Sequence, residues 1–201
     1  MAVRQQAELV LASASPRRKQ ILEQLGLRVR VLPSGMDERE LPGETPEQHV
    51  ERLACGKAAV VVQQLTAAAE TAWVLAADTI VVIDGRVLGK PRDDEDAVRM
   101  LLSLAGRKHR VMTGVALQHG SRDAESAVFT TEVSFRALDR AAAAAYVASG
   151  EARDAAGSYA IQGLGMGLVT EIHGSYTNVV GLPAGETLEL LLRAGALEAW
   201  P

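Results

Sequence analysis

Two apolar runs, Trp73 to Ala77 and Ile80 to Ile83, lead into Asp84-Gly85 and then Val87-Leu88. Asp-Gly in such a place is a strong hairpin signal, because the turn it makes needs positive φ at its central residues. A sheet is therefore the centre of any fold for this chain. Glu8 to Ala12 reads as a short buried strand. Ser15-Pro16 follows as an N-cap and a proline at the first helical position, opening a helix that Gly26 stops after about Leu25. Leu27 to Leu32 alternates apolar residues with arginine, as a half-buried strand does. Thr45-Pro46-Glu47-Gln48 is a capping box, and the helix it opens runs to about Leu65. Asp93 to Leu104 is amphipathic, with Asp93, Asp94, Glu95 and Asp96 where a helix N-terminus welcomes negative charge.

Two stretches rich in Val, Thr and Phe, His109 to Gln118 and Glu125 to Ala137, read as an antiparallel pair joined near Gly120. Asp139 caps a helix to about Ser149 that includes the alanine run 141 to 145, Leu168 to Ile172 is a further strand, and Pro183 begins a last helix to about Ala194. Helices mixed with both hairpins and crossovers predict an α/β protein with a mixed sheet. No Ser/Gly linker, charge block or low-complexity tract interrupts the 201 residues, so residues 1–201 read as a single domain.

Composition excludes several classes. A net charge of -4 argues against a general nucleic-acid binder, which carries a basic surplus to neutralise phosphates. Cys55 is the only cysteine, so no intrachain disulfide forms, and a reducing, cytoplasmic compartment is favoured. His49, His109, His119 and His173 are scattered without a metal-binding spacing. No segment approaches the roughly 20 apolar residues that span a bilayer, and Leu9 to Ser15 is too short an apolar stretch for a signal peptide.

Several residues carry possible chemistry. In Ser13-Ala-Ser-Pro-Arg-Arg18 a strand feeds a proline-started helix whose N–H groups suit a phosphate. Arg17 and Arg18 sit in a first turn that disfavours cations unless an anion binds there, although two surface arginines paired with acids would read the same way. Asp78 interrupts a wholly apolar run, where a carboxylate needs a metal, a cation or several hydrogen bonds, unless it caps a turn between two strands. If Asp84-Gly85 is a two-residue turn, Ile83 faces Arg86, and counting back sets Lys90 opposite Thr79. Asp37, Glu38 and Lys57 taken alone read as solvated charges. Gly163 to Gly167 has the wrong spacing for a dinucleotide loop, and a strand follows it.

Five segments in order, LASASPRR at 11–18, AADTIV at 76–81, GKP at 89–91, AGSYAIQG at 156–163 and GSYTNVVGLP at 174–183, resemble the Maf family over nearly the whole chain. The resemblance implies a mixed, twisted sheet flanked by helices, two lobes with a central cleft, and a nucleoside triphosphate pyrophosphatase that uses a divalent metal, Mg2+ or Mn2+. It assigns phosphate binding to Ser13, Arg17, Arg18, Lys57 and Lys90, the catalytic aspartate to Asp78, and further metal ligation to Asp37 with Glu38 beside it. Arg17, Thr79 and Gln162 match the branch acting on dTTP and UTP, and a glutamine amide offers the donor and acceptor that uracil or thymine requires. One departure is Asp154-Ala155-Ala156-Gly157, where many relatives have lysine in place of Ala155. A homodimer in the cytoplasm is expected from the same resemblance, with a nucleotide substrate and neither nucleic-acid nor membrane partners. The competing readings are a nucleotide-sensing regulator of cell division that binds without cutting, and a pyrophosphatase for 7-methyl-GTP.

Overall fold

The computed structural model describes residues 3–5, 7–151 and 153–200. In chain order the elements are β1 (Arg4–Gln5), β2 (Leu9–Leu11), α1 (Pro16–Gln24), β3 (Val29–Val31), α2 (Pro46–Ala67), β4 (Trp73–Ile83), β5 (Arg86–Leu88), α3 (Asp94–Leu104), β6 (Lys108–His119), β7 (Glu125–Phe135), α4 (Arg140–Ala148), β8 (Val169–His173), α5 (Tyr176–Val180), α6 (Ala184–Ala194) and β9 (Leu197–Ala199). Short 3-10 turns cover Ala156–Ser158 and Gly163–Leu168. Seven strands form one sheet of order β3-β2-β4-β6-β7-β8 with β5 paired to β4, and β1 pairs with β9 in a separate ribbon. Parallel pairs (β2 with β3 and β4) and antiparallel pairs (β4 with β5, β7 with β8) make the large sheet mixed, as an α/β chain of this pattern requires.

The helix starts form where the local signals place them. Ser15 accepts a hydrogen bond from the Arg18 N–H, the Thr45/Gln48 capping box is complete, and Asp93 and Asp139 each accept from the residue three positions on. The Asp84-Gly85 hairpin has the expected register, with Ile83 opposite Arg86, but pairing stops at Val81 and Leu88, so Lys90 lies beyond the ladder. Trp73–Ile83 is one unbroken strand, so Asp78 lies in mid-strand and does not cap a turn between two strands. Helix α5 is capped by Ser175, whose hydroxyl accepts from the Asn178 N–H at 3.2 Å, but at five residues it is too short to show a helical period in the sequence.

The chain forms two compact units. The first comprises Met1–Asp78, Thr113–Phe129 and Gly181–Pro201, the second Thr79–Met112 and Thr130–Val180. In the first, one core gathers Val10 and Ala12 of the β2 segment, Val74 and Ala76 of β4, and Ala54, Ala58, Val61, Val62 and Leu65 of α2. The strand residues are two apart, and so share a face, while the helical ones recur at three- and four-residue steps. Full burial of each valine or leucine contributes roughly 1.5–3 kcal/mol. Small residues bring the backbones close: a Cβ on Gly114 would collide with the Val50 carbonyl oxygen of α2. Among the described residues no helix is long and apolar enough to cross a membrane.

The second unit buries His109, which is 3% exposed. Its Nε2 meets the Tyr159 hydroxyl at 2.9 Å, and its ring stands edge-on to Phe135 and Tyr159, while Nδ1 is buried without a hydrogen-bond partner. Burial pushes the imidazole pKa down to about 4. The unfolded chain takes up this proton as pH falls through about 6.5 and the folded chain does not until about 4, so stability is lost on acidification across that window. Denaturant unfolding should show about 2 kcal/mol less stability at pH 5 than at pH 7 from this group, and His109→Gln should remove that increment. An unchanged pH slope in the variant would contradict the assignment.

Candidate functional site

The loop that follows β2 turns sharply into α1. The Ser13 hydroxyl, in a residue 7% exposed, accepts a hydrogen bond from the Ser15 N–H at 3.2 Å and from Arg18 Nη1 at 2.9 Å. Arg18 Nε donates to the carbonyl of Gly181 at 2.9 Å, which ties the first turn of α1 to the segment before α6. Burial pulls the Arg18 pKa below its ordinary value, against the upward pull of Asp78 and Glu38, with Arg17 adding a smaller downward push. An arginine begins so high that it stays charged. The result is a fixed guanidinium in the field of two carboxylates.

Asp78 lies two residues beyond Ala76 on β4, and so on the sheet face that α2 covers. Lys57 lies on α2 between Ala54 and Val61, at the edge of the stripe that packs on that face. The two side chains therefore meet: Lys57 Nζ donates to Asp78 Oδ1 at 2.6 Å. The same ammonium lies 2.5 Å from Glu38 Oε1. Both Lys57 and Asp78 are buried, at 5% and 6% exposure, whereas the Glu38 side chain is 56% exposed. A buried carboxylate is costly without such a partner.

The remaining sequence candidates are placed as follows. Asp37 pairs with Arg39, whose Nε lies 2.6 Å from Asp37 Oδ2. Arg17 is half-buried in the first turn of α1. The other three belong to the second unit: Thr79 is half-buried in β4, and Lys90 is exposed with its ammonium 3.6 Å from Asp154. Gln162 leads into the turn Gly163–Leu168 as its N-cap residue. Ala155, at the position where the resemblance implies a lysine, is buried, and the next glycine, Gly157, takes φ 67 and donates its N–H to Gly89 beside Lys90 at 3.0 Å. The first unit thus brings Ser13, Arg18, Glu38, Lys57 and Asp78 together.

One cluster escaped the sequence. Glu44, His49 and Arg52 form a compact ion-pair group at the start of α2. The capping box Thr45–Gln48 explains the helix start so fully that its neighbours drew no separate reading; an Arg eight positions after a Glu is no recognisable motif.

Two carboxylates that converge on one cation make a hard, oxygen-rich donor set of the kind that suits Mg2+ or Mn2+. Among the described residues no group of three or more His, Cys, Asp or Glu side chains suits a metal by itself. An ion held here would rest on one or two carboxylates and be completed by substrate phosphates and water.

A family model described as Maf-like protein matches residues 8–194. The protein named dTTP/UTP pyrophosphatase of Myxococcus xanthus (strain DK1622) is 51% identical over 195 residues, covering 97% of this chain and 96% of that one. The protein of the same name from Anaeromyxobacter dehalogenans (strain 2CP-C) is 50% identical over 195 residues, 96% of each chain. That from Desulfotalea psychrophila (strain LSv54 / DSM 12343) is 50% identical over 185 residues, 92% of this chain and 93% of its own.

Proposed function

Since this chain belongs to the Maf family, we propose that it hydrolyses dTTP and UTP between the α- and β-phosphates, releasing the nucleoside monophosphate and pyrophosphate. Identity of about half the residues over the full length of relatives with that name supports the reading. The observation that carries it is the buried Lys57 ammonium shared by Asp78 and Glu38, with the Arg18 guanidinium in their field. Such a group of fixed charges has little use in a core and much use around a polyphosphate.

In this reading a water attacks the α-phosphorus in line, the new P–O bond forms as the bridging Pα–O bond breaks, and the electron pair leaves with pyrophosphate. Asp78 orients the water and receives its proton. Arg17, Arg18, Lys57 and Lys90 stabilise charge on the phosphate chain, and Ser13 holds Arg18 in place for that task. Asp78 and Glu38, with Asp37 as the further acidic position, would hold a divalent metal, which would neutralise charge on the triphosphate. Thr79 and Gln162, with Arg17, read the base; a site built for the N3–H and carbonyl of uracil or thymine rejects a base with the opposite pattern. We assign the protein to the cytoplasm as a homodimer, and light scattering on the purified protein checks the oligomer.

The test is a turnover panel of dTTP, UTP, CTP and 7-methyl-GTP with the metal varied. Monophosphate and pyrophosphate should appear in equal amounts from dTTP and UTP, at least about 100-fold faster than from CTP or 7-methyl-GTP, the discrimination that unpaired buried hydrogen-bonding groups impose. Fast cleavage of 7-methyl-GTP would move the chain to a different specificity. Tight nucleotide binding with no metal-dependent turnover would make it a sensor.

A further inference from the structure

Asp37 and Glu38 stand in a long segment, residues 32–45, that contains neither helix nor strand, and their side chains are exposed. Such a segment loses roughly 1–2 kcal/mol of conformational entropy per residue on ordering, so something must hold it if Glu38 is to sit at Lys57. Two attachments to α2 bracket the acidic pair. On the N-terminal side Met36 lies against Gly56, close enough that a Cβ there would come within 2.6 Å of the methionine sulfur. On the C-terminal side Arg52 grips the segment twice, through the Glu44 carboxylate (Nε to Oε1 at 2.5 Å, Nη2 to Oε2 at 2.8 Å) and through the carbonyl of Arg39 (Nη2 at 3.0 Å). His49 Nδ1 also meets Glu44 Oε2 at 3.0 Å, and the Leu41 N–H donates to the same oxygen at 3.2 Å.

We propose that Glu44 and Arg52 are positioning residues that, with the Met36–Gly56 contact, latch this segment onto α2 and so deliver Glu38 to Lys57. Helix α2 is the common ruler: Gly56, Lys57 and Arg52 lie within six residues of one another on it, so fixing both flanks of Glu38 to that helix fixes its carboxylate against the ammonium. The Glu44 side chain is only 9% exposed, in contrast to its neighbours in the segment. Its pKa is held down to about 2, first by the Arg52 hydrogen bonds, so it keeps its charge wherever the enzyme works. A surface ion pair with no task would not need a bidentate fork, a histidine and a main-chain anchor on one carboxylate.

The proposal rests on the pyrophosphatase reading for its catalytic consequence, and the double variant Glu44→Gln/Arg52→Met tests it. Removing both partners avoids leaving either charge buried alone. Amide hydrogen exchange of the ligand-free protein should accelerate across residues 36–41 and remain unchanged in β2 and β4. With UTP, the Mn2+ concentration for half-maximal rate should rise and kcat should fall by about 10-fold or more, as when outer partners of ligands are lost, while KM at saturating metal stays within about 3-fold. Gly56→Ala, which displaces Met36, should shift the same two readouts in the same direction. Unchanged exchange in the segment, or faster exchange with unaltered Mn2+ dependence and kcat, would overturn the proposal. An inert wild-type protein would instead overturn the pyrophosphatase reading, and hydrogen exchange with Mn2+ binding to the nucleotide-free protein would then judge the latch by itself.

Discussion

Asp78→Asn should lower the turnover of dTTP and UTP by about three orders of magnitude, the loss expected when one group both accepts the proton and helps to hold the metal. The fold should survive. Asparagine has the shape of aspartate, and its amide oxygen can still accept from Lys57 Nζ where Asp78 Oδ1 does at 2.6 Å. Nucleotide binding without metal should change little, since Arg18 keeps its bonds to Ser13 and Gly181. Pyrophosphate release and calorimetric binding of a non-hydrolysable UTP analogue, measured on the same preparation, separate the two effects. Near-normal pyrophosphate release by a folded variant would mean that Asp78 is structural and the proposed chemistry lies elsewhere.

Lys57→Met should be damaging twice over. Methionine fills much of the lysine's volume on α2, but it leaves the buried Asp78 carboxylate without its ammonium. Breaking a buried pair by removing one partner costs roughly 3–5 kcal/mol when the surviving charge is left alone, and the Arg18 guanidinium that stays in the field of Asp78 places the loss toward the lower end of that range. Glu38 contributes little to that penalty, since its side chain is 56% exposed and water replaces the lost partner. Turnover should also fall by about 100-fold or more through loss of a cation beside the phosphates. The double variant Lys57→Met/Asp78→Asn distinguishes the two losses. It should regain most of the stability in urea unfolding and none of the activity. If the single variant proves as stable as the wild type, the pair is better solvated than its burial indicates; if the double variant recovers turnover, neither residue belongs to the chemistry.

These two residues also show how unevenly the sequence discloses the site. Asp78 stands out because it breaks an apolar run, and burying a carboxylate demands an explanation wherever it occurs. Lys57 gives no such signal: a lysine on a helix is ordinarily solvated, and its pairing with Asp78 spans 21 positions. The choice between the adjacent acids was equally hidden. Asp37 pairs with Arg39 while Glu38 reaches Lys57, a difference set by how the segment lies across α2. Glu44, His49 and Arg52 were invisible for the opposite reason, since the capping box beside them accounts for the local sequence on its own terms.

The sequence by itself determined the elements whose stabilising contacts are local: the capped starts of α1, α2, α3 and α4, the Asp84-Gly85 turn with Ile83 opposite Arg86, and the order of motifs that marks the family. A cap or a tight turn is satisfied by hydrogen bonds within three or four residues, so a short window holds all the information it needs. Only the tertiary structure decided that Trp73–Ile83 is one strand, that Lys57 serves two carboxylates, and that Arg52 holds the segment carrying one of them. Those contacts exist because α2 packs its apolar stripe on the face shared by Val10, Val74 and Ala76, and burial of that stripe sets which distant charges face one another.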